Sequence, residues 1–217
     1  MPWAGGLLHS YQPSGSFAKG TSILLGTDLD IFFCLSSNCT DSLRDIYIKT
    51  RNHLAQAGYS SREQNVSLRI SCAGMTCDIV PARKQVGNTA NASLYRRKAN
   101  SWTLTDVDHH IQLISNCGRQ DEIKIMKIWL ALHQIDLPSF YIELLVLEAL
   151  SGYRYGQLAS NVVRNLEFIR DRARTLRLVD PSNTNNIVSD DVTIAERGQL
   201  VSLATRALSG NWASFVW

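Results

Sequence analysis

Asp28 and Asp30 stand two residues apart in Asp28-Leu29-Asp30, at the head of the apolar run Ile31 to Leu35. In a strand, residues at that spacing project to one face, so the two carboxylates lie side by side and repel unless a cation stands between them. Asp78 lies within a second apolar run, Cys77-Asp78-Ile79-Val80, where an unpaired carboxylate is expensive to bury. With the two runs side by side in one sheet, a third ligand joins the pair. Three carboxylates on adjacent strands can hold two magnesium ions about 4 Å apart, which activate an attacking hydroxyl and neutralise a leaving pyrophosphate. Gly15-Ser16 precedes a short helix, where backbone N–H groups and the Ser16 hydroxyl can cradle the terminal phosphates of a nucleoside triphosphate. Taken singly, each aspartate reads as an ordinary strand-end or turn residue and Gly15-Ser16 as a loop. Their combination points to phosphoryl-type chemistry.

The elements that must position these groups follow from periodicity. Ser10 to Ser14 is extended, and Asp28 to Leu35 reads as a strand enriched in Phe and Ile. Thr40 to Ala57 places Leu43, Ile46, Tyr47 and Leu54 at helical spacing and stops at Gly58, which fits a crossover helix. Val66 to Cys72 and Thr76 to Val80 alternate around Ala73-Gly74 and predict a hairpin that Pro81 ends. Gly87 to Ser93 reads as a polar loop, followed by the basic run Tyr95-Arg96-Arg97-Lys98. Beyond Thr105 the period becomes helical: Asp106 to Asn116, Glu122 to His133, Ser139 to Leu150 and Tyr155 to Arg174, broken at Gly118, Pro138 and Gly152. Two polar turns over Asp180 to Asp191 precede a last helix from Ile194 to Leu208. The expected organisation is therefore a strand-rich module over 1–105 and a helical module over 106–217.

Composition narrows the classes. Of 217 residues 45% are apolar and 19% charged, enough to bury a sizeable core and incompatible with a fibrous or disordered chain. Lys and Arg number 22 against 19 acidic residues, a net +3 too mild to name nucleic acid as the partner by charge alone. The apolar stretches are shorter than the roughly 20 residues that cross a bilayer, so no membrane partner is expected. Met1 to Leu8 has no cationic region followed by a long apolar run, which argues for a cytoplasmic protein. Cys34, Cys39, Cys72, Cys77 and Cys117 are odd in number and form no CxxC pair, so buried free thiols are expected rather than a disulfide framework or zinc knuckle.

Gly15-Ser16-Phe17-Ala18-Lys19-Gly20-Thr21 followed by Thr27-Asp28-Leu29-Asp30-Ile31-Phe32 closely resembles the signature of the polymerase-beta-like nucleotidyltransferase superfamily. Within it the chain looks most like the oligoadenylate synthetase and cyclic GMP-AMP synthase branch, including the bacterial CD-NTases that make cyclic oligonucleotide signals. Asp78 matches the third metal ligand, and Lys127-Ile128-Trp129 resembles the branch's helical Lys-x-Trp motif, whose lysine contacts the triphosphate. Pro138-Ser139-Phe140-Tyr141-Ile142-Glu143-Leu144 and Asp180-Pro181-Ser182-Asn183-Thr184-Asn185-Asn186 are similar to two further motifs of the helical part. Thr105-Asp106-Val107-Asp108-His109 matches a Thr-x-x-x-His stretch of related enzymes, where His109 also reads as a plain helix-start residue.

The resemblance implies an α+β protein: a mixed-sheet catalytic lobe followed by a helical lobe, with the active site in the cleft between them. It implies catalytic, metal-holding Asp28, Asp30 and Asp78, two Mg²⁺ or Mn²⁺ ions, and triphosphate contacts from Gly15, Ser16, Lys127 and Ser139. Lys127 and Ser139 read equally, on sequence alone, as an exposed helix lysine and a helix-start serine, and Trp129 and Glu143 read as packing and orienting residues. The implied substrates are ATP, GTP or other nucleoside triphosphates. The implied products are linear or cyclic oligonucleotides; transfer to an RNA 3′ end, and a nucleotide-binding module without turnover, are the alternatives. Base preference and oligomeric state leave no mark. The chain departs from the pattern in having only Met1 to Pro13 where related enzymes carry a long helix, and in lacking a His-plus-Cys cluster like the zinc insertion of the animal synthase. Activation by double-stranded DNA through such an insertion is not expected. Arg170, Arg172, Arg174 and Arg177, like Arg96, Arg97 and Lys98, read as solvated faces rather than an RNA track.

Overall fold

The computed structural model describes residues 3–25, 28–87 and 89–210. Thr27 of the second motif and Asn88 of the polar loop lie outside the described residues. The strand-rich part runs β1 (Leu8–Ser14), α1 (Gly15–Ala18), β2 (Leu29–Leu35), α2 (Leu43–Gln56), β3 (Arg62–Glu63), β4 (Leu68–Cys72), β5 (Met75–Lys84), β6 (Ala92–Arg96) and β7 (Ser101–Thr105). These strands form a seven-stranded mixed sheet in the order β1-β2-β5-β4-β3, with β6 against β5 and β7 beyond it. Among the described residues only β2 and β5 pair in parallel; the other pairs of this sheet are antiparallel. A parallel pair needs a crossover, and α2 supplies it. Its start is capped by the Ser42 hydroxyl, which accepts from the Asp45 amide at 3.0 Å.

Alternation along β2 sorts its side chains onto two faces. Phe33 and Leu35 pack with Ile46, Tyr47 and Leu54 of α2 and with Leu68 and Ile79. Phe32 and Cys34 lie on the opposite face with Ala82, Ala92 and Leu94. Asp30, two residues before Phe32, shares that second face.

Two expectations for this part are corrected. β5 does not stop at Pro81 but continues to Lys84. Pro81 falls where the antiparallel partner changes from β4, whose register ends at Ile79, to β6, whose register begins at Ala82, so neither ladder needs the amide hydrogen it lacks. Part of the expected loop and basic run is strand β6, paired with β7. In β6 Ala92 and Leu94 face one core and Tyr95 the other, too short an alternation to stand out in sequence.

The helical part comprises α3 (Val107–Ser115), α4 (Gln120–Leu132), α5 (Ser139–Ala149), α6 (Leu158–Arg172) and α7 (Ile194–Ser209), with a small hairpin, β8 (Val179–Asp180) and β9 (Asn183–Ile187), where two turns are expected. Asp180 holds that hairpin: its carboxylate accepts from the Ser182 amide and hydroxyl, both at 2.8 Å, and from Asn186 at 3.1 Å. The core joins Met126 of α4, Tyr141 and Leu145 of α5, Ile169 of α6 and Leu203 of α7. Arg119 is buried just before α4, donating to Glu122 at 3.1 Å and to the Arg154 carbonyl at 3.2 Å.

The chain divides into two compact units, Met1–Lys19 with Thr27–Gln112, and Gly20–Gly26 with Leu113–Trp217. The division falls inside α3 rather than near Thr105, and a segment ahead of β2 belongs with the helices. All five cysteines are free thiols. Among the described residues no helix is long and apolar enough to cross a membrane.

Candidate active site

The carboxylates meet because of strand register. In the parallel β2–β5 pair Asp30 stands opposite Asp78, and Asp28 lies two residues ahead of Asp30. The hairpin between β4 and β5 brings a fourth residue, placing Arg69 opposite Asp78. The Arg69 guanidinium binds Asp78 through both oxygens, Nε to Oδ1 at 3.0 Å and Nη2 to Oδ2 at 2.8 Å, and Nη2 also donates to Oδ2 of Asp28. Such fork geometry is specific to arginine.

On the other side of β2, Ser14 of β1 pairs with Asp30, so Gly15 follows directly against the Asp30 carboxylate. Gly15 has φ +59°, and a β-carbon there would lie 1.7 Å from Oδ2 of Asp30. The glycine is thus required twice, for a left-handed backbone and for the room the carboxylate occupies. Ser16 is half-buried in the short helix α1 that follows.

Electrostatics weigh on Asp30. Burial, and then the negative charges of Asp78 and Asp28, push its carboxyl up to about 6, against the pull of Lys19 and Arg69. Lys19 is itself only 7% exposed.

Among the described residues no group of three or more His, Cys, Asp or Glu has its atoms gathered as a metal site; around the aspartates, Arg69 takes oxygens from two of the three carboxylates. The donor set nevertheless fits a hard divalent cation, with carboxylate oxygens alone, in register on adjacent strands. Burial and the charges of Asp78 and Asp28 also hold the Asp30 carboxyl above its ordinary value, a penalty on its charged form that a dication would relieve.

Lys127 and Ser139 belong to the helical unit. Lys127 of α4 donates to Oε1 of Glu143 on α5 at 2.8 Å and to the hydroxyl and carbonyl oxygens of Thr21 at 3.1 and 3.3 Å. The Thr21 hydroxyl in turn donates to Glu143 at 2.6 Å. All three are buried, Glu143 and Thr21 completely, so the lysine is not the exposed helix residue that sequence alone allows. Ser139 is exposed at the first turn of α5. His109 stands at the start of α3, its amide donating to Asp106 at 2.9 Å, in keeping with the helix-start reading.

Arg69 is the residue that sequence reasoning misses. The signal was nonetheless present: counted outward from the Ala73-Gly74 turn, position 69 falls opposite position 78.

No protein-family model and no curated protein matches the sequence. Solved structures do resemble it. The CdnC protein of E. coli MS115-1, solved with ATP, is 21% identical with a TM-score of 0.79, over 97% of this chain and 79% of that one. The CD-NTase CdnG of Bradyrhizobium diazoefficiens, in complex with GTP, is 14% identical with a TM-score of 0.79, over 96% of this chain and 80% of that one. A STING-associated CdnE c-di-GMP synthase from Capnocytophaga granulosa is 16% identical with a TM-score of 0.65, over 94% and 75%. With an Asp-bearing mixed sheet followed by a helical lobe, this chain has the nucleotidyltransferase fold of the bacterial CD-NTases.

Proposed function

We propose that the protein is a template-independent nucleotidyltransferase of CD-NTase type, which joins nucleoside triphosphates into cyclic or linear oligonucleotides and releases pyrophosphate. One observation carries this reading: Asp30 and Asp78 face each other in parallel register with Asp28 at the strand head, within a fold shared over nearly the whole chain.

Asp28, Asp30 and Asp78 would hold the divalent ions, Mg²⁺ or Mn²⁺. When bound, these supply charge neutralisation for the leaving pyrophosphate and lower the pKa of an attacking 3′-hydroxyl. The chain's own contribution is placement, because phosphoryl-type transfer asks little covalent work of a protein. Gly15 opens the room in which Asp30 stands, and the Ser16 hydroxyl is offered to the triphosphate. Asp78, whose oxygens Arg69 holds in the ion-free chain, would complete the carboxylate set beside the acceptor hydroxyl. A triphosphate contact by Lys127 requires its ammonium to leave Glu143 and Thr21. Ser139, exposed at the head of α5, is the second candidate from the helical unit. Free triphosphates are favoured over RNA as acceptors because the similar structures were solved with ATP and GTP.

Incubating the purified chain with labelled ATP, GTP, CTP and UTP and either Mg²⁺ or Mn²⁺ tests this, with products resolved by chromatography and mass. Phosphatase-resistant products are expected, and Asp28→Asn or Asp30→Asn should lower turnover by at least about a thousandfold with folding intact. Full activity in either variant overturns the assignment of the carboxylates. Label appearing only on added tRNA would replace the free-nucleotide reading with the RNA-directed one. Magnesium-dependent triphosphate binding without pyrophosphate release would leave a binding module.

A further inference from the structure

The proposed reaction does not use the charge that Arg69 brings into the carboxylate cluster. Its guanidinium takes both oxygens of Asp78 and one of Asp28, the atoms that the metal reading needs. We infer that Arg69 is a positioning residue that acts as a built-in counter-ion: it holds Asp28 and Asp78 together until a divalent cation takes their oxygens and displaces its fork. The inference rests on the metal reading of the aspartates and adds a competition that this reading does not contain.

Three observations support it. The register of the β4–β5 hairpin puts Arg69 directly opposite Asp78, so the guanidinium arrives by backbone design and not by a chance rotamer of a distant residue. A hard dication sits about 2.1 Å from its oxygens with near-octahedral demands, whereas the fork now lies 2.8 and 3.0 Å from the Asp78 oxygens. Both cannot face the same lone pairs without like-charge repulsion. The Arg69 side chain is 37% exposed, against 11% for Asp78, so the arginine is the partner with more room to swing toward solvent.

The test uses the full chain, without nucleotide, as wild type, Arg69→Gln and Arg69→Lys. Mn²⁺ affinity is read from the loss of the free-ion electron paramagnetic resonance signal, and melting temperature is read with and without Mn²⁺. Arg69→Gln should melt lower without metal, because Asp28 and Asp78 lose their counter-ion, yet bind Mn²⁺ about tenfold tighter and gain more melting temperature from it. Arg69→Lys keeps a charge but not the fork, and should bind Mn²⁺ a few-fold tighter than wild type. An arginine that merely supports the site would lower both stability and affinity. Unchanged or weaker Mn²⁺ binding in a folded Arg69→Gln chain therefore overturns the inference; should that variant not fold, the same result in Arg69→Lys overturns it. If wild type binds Mn²⁺ and the variants bind no tighter, the metal reading stands and only the role of Arg69 falls. If none of the three binds, both fall.

Discussion

Asp30 sets stability against chemistry. Its carboxyl ionises at about 6 in the folded chain against 3.8 for the unperturbed group, because burial and the charges of Asp78 and Asp28 oppose ionisation. Between those values the folded state binds more protons than the unfolded one, so stability falls as pH rises from about 4 to about 6, and the full cost is present above that. Asp30→Asn removes the charge while keeping the shape. Without metal at pH 7.5 it should stabilise the chain by about 1–2 kcal/mol, less than the gap between 3.8 and about 6 would give in a fully buried site. The gain should vanish below pH 4, and urea melts of the two chains across pH 4 to 8 check both halves. Equal stability at every pH would mean that Asp30 is not repelled by its neighbours. The aspartates and Gly15-Ser16 were legible in the sequence because spacing alone gave the pair a common face. The collision that makes Gly15 irreplaceable was not, since it depends on the contact between β1 and β2.

At the scale of elements, the hairpin β4–β5 does more than add a strand. Ala73 and Gly74 both have positive φ, 51° and 78°, the signature of a two-residue type I′ turn. That turn sets Cys72 opposite Met75 and, counted outward, Arg69 opposite Asp78. Alanine at φ 51° is strained where glycine is not. Ala73→Gly should raise stability by about 1 kcal/mol with product formation unchanged; a loss of activity would show that the turn does more than set register. The hairpin and the long helices were readable because their periods persist over many residues. β6 and β7 were not: a five-residue strand with so short an alternation looks like a polar loop, and its partner supplies the rest of the evidence. The continuation of β5 past Pro81 was hidden for a related reason, because the cost of a proline in a strand depends on which neighbour faces it.

Across the whole molecule, the chain crosses between its two units three times, at 19–20, 26–27 and 112–113. The shift from strand to helical period near Thr105 announced only the last of these. The short return of 20–26 to the helical unit has no periodicity of its own, and Thr21 carries a buried contact with that unit. Thr21 is fully buried, donates to Glu143 and accepts from Lys127. It thereby helps to balance an ion pair that joins α4 to α5, and a buried pair deprived of a hydrogen-bonding partner costs more than an exposed one. Thr21→Val keeps the volume and removes the hydroxyl. It should cost about 1–3 kcal/mol, and the loss should be local: hydrogen exchange should speed up at amides of α4 and α5 and stay unchanged in β2 and β5. Faster exchange in the sheet alone would assign residues 20–26 to the strand-rich unit. Faster exchange in both would mean that the two cores open as one. The expected pattern would show that a residue inside the sequence of the strand-rich part stabilises the helices, which no boundary drawn at a single point in the chain can represent.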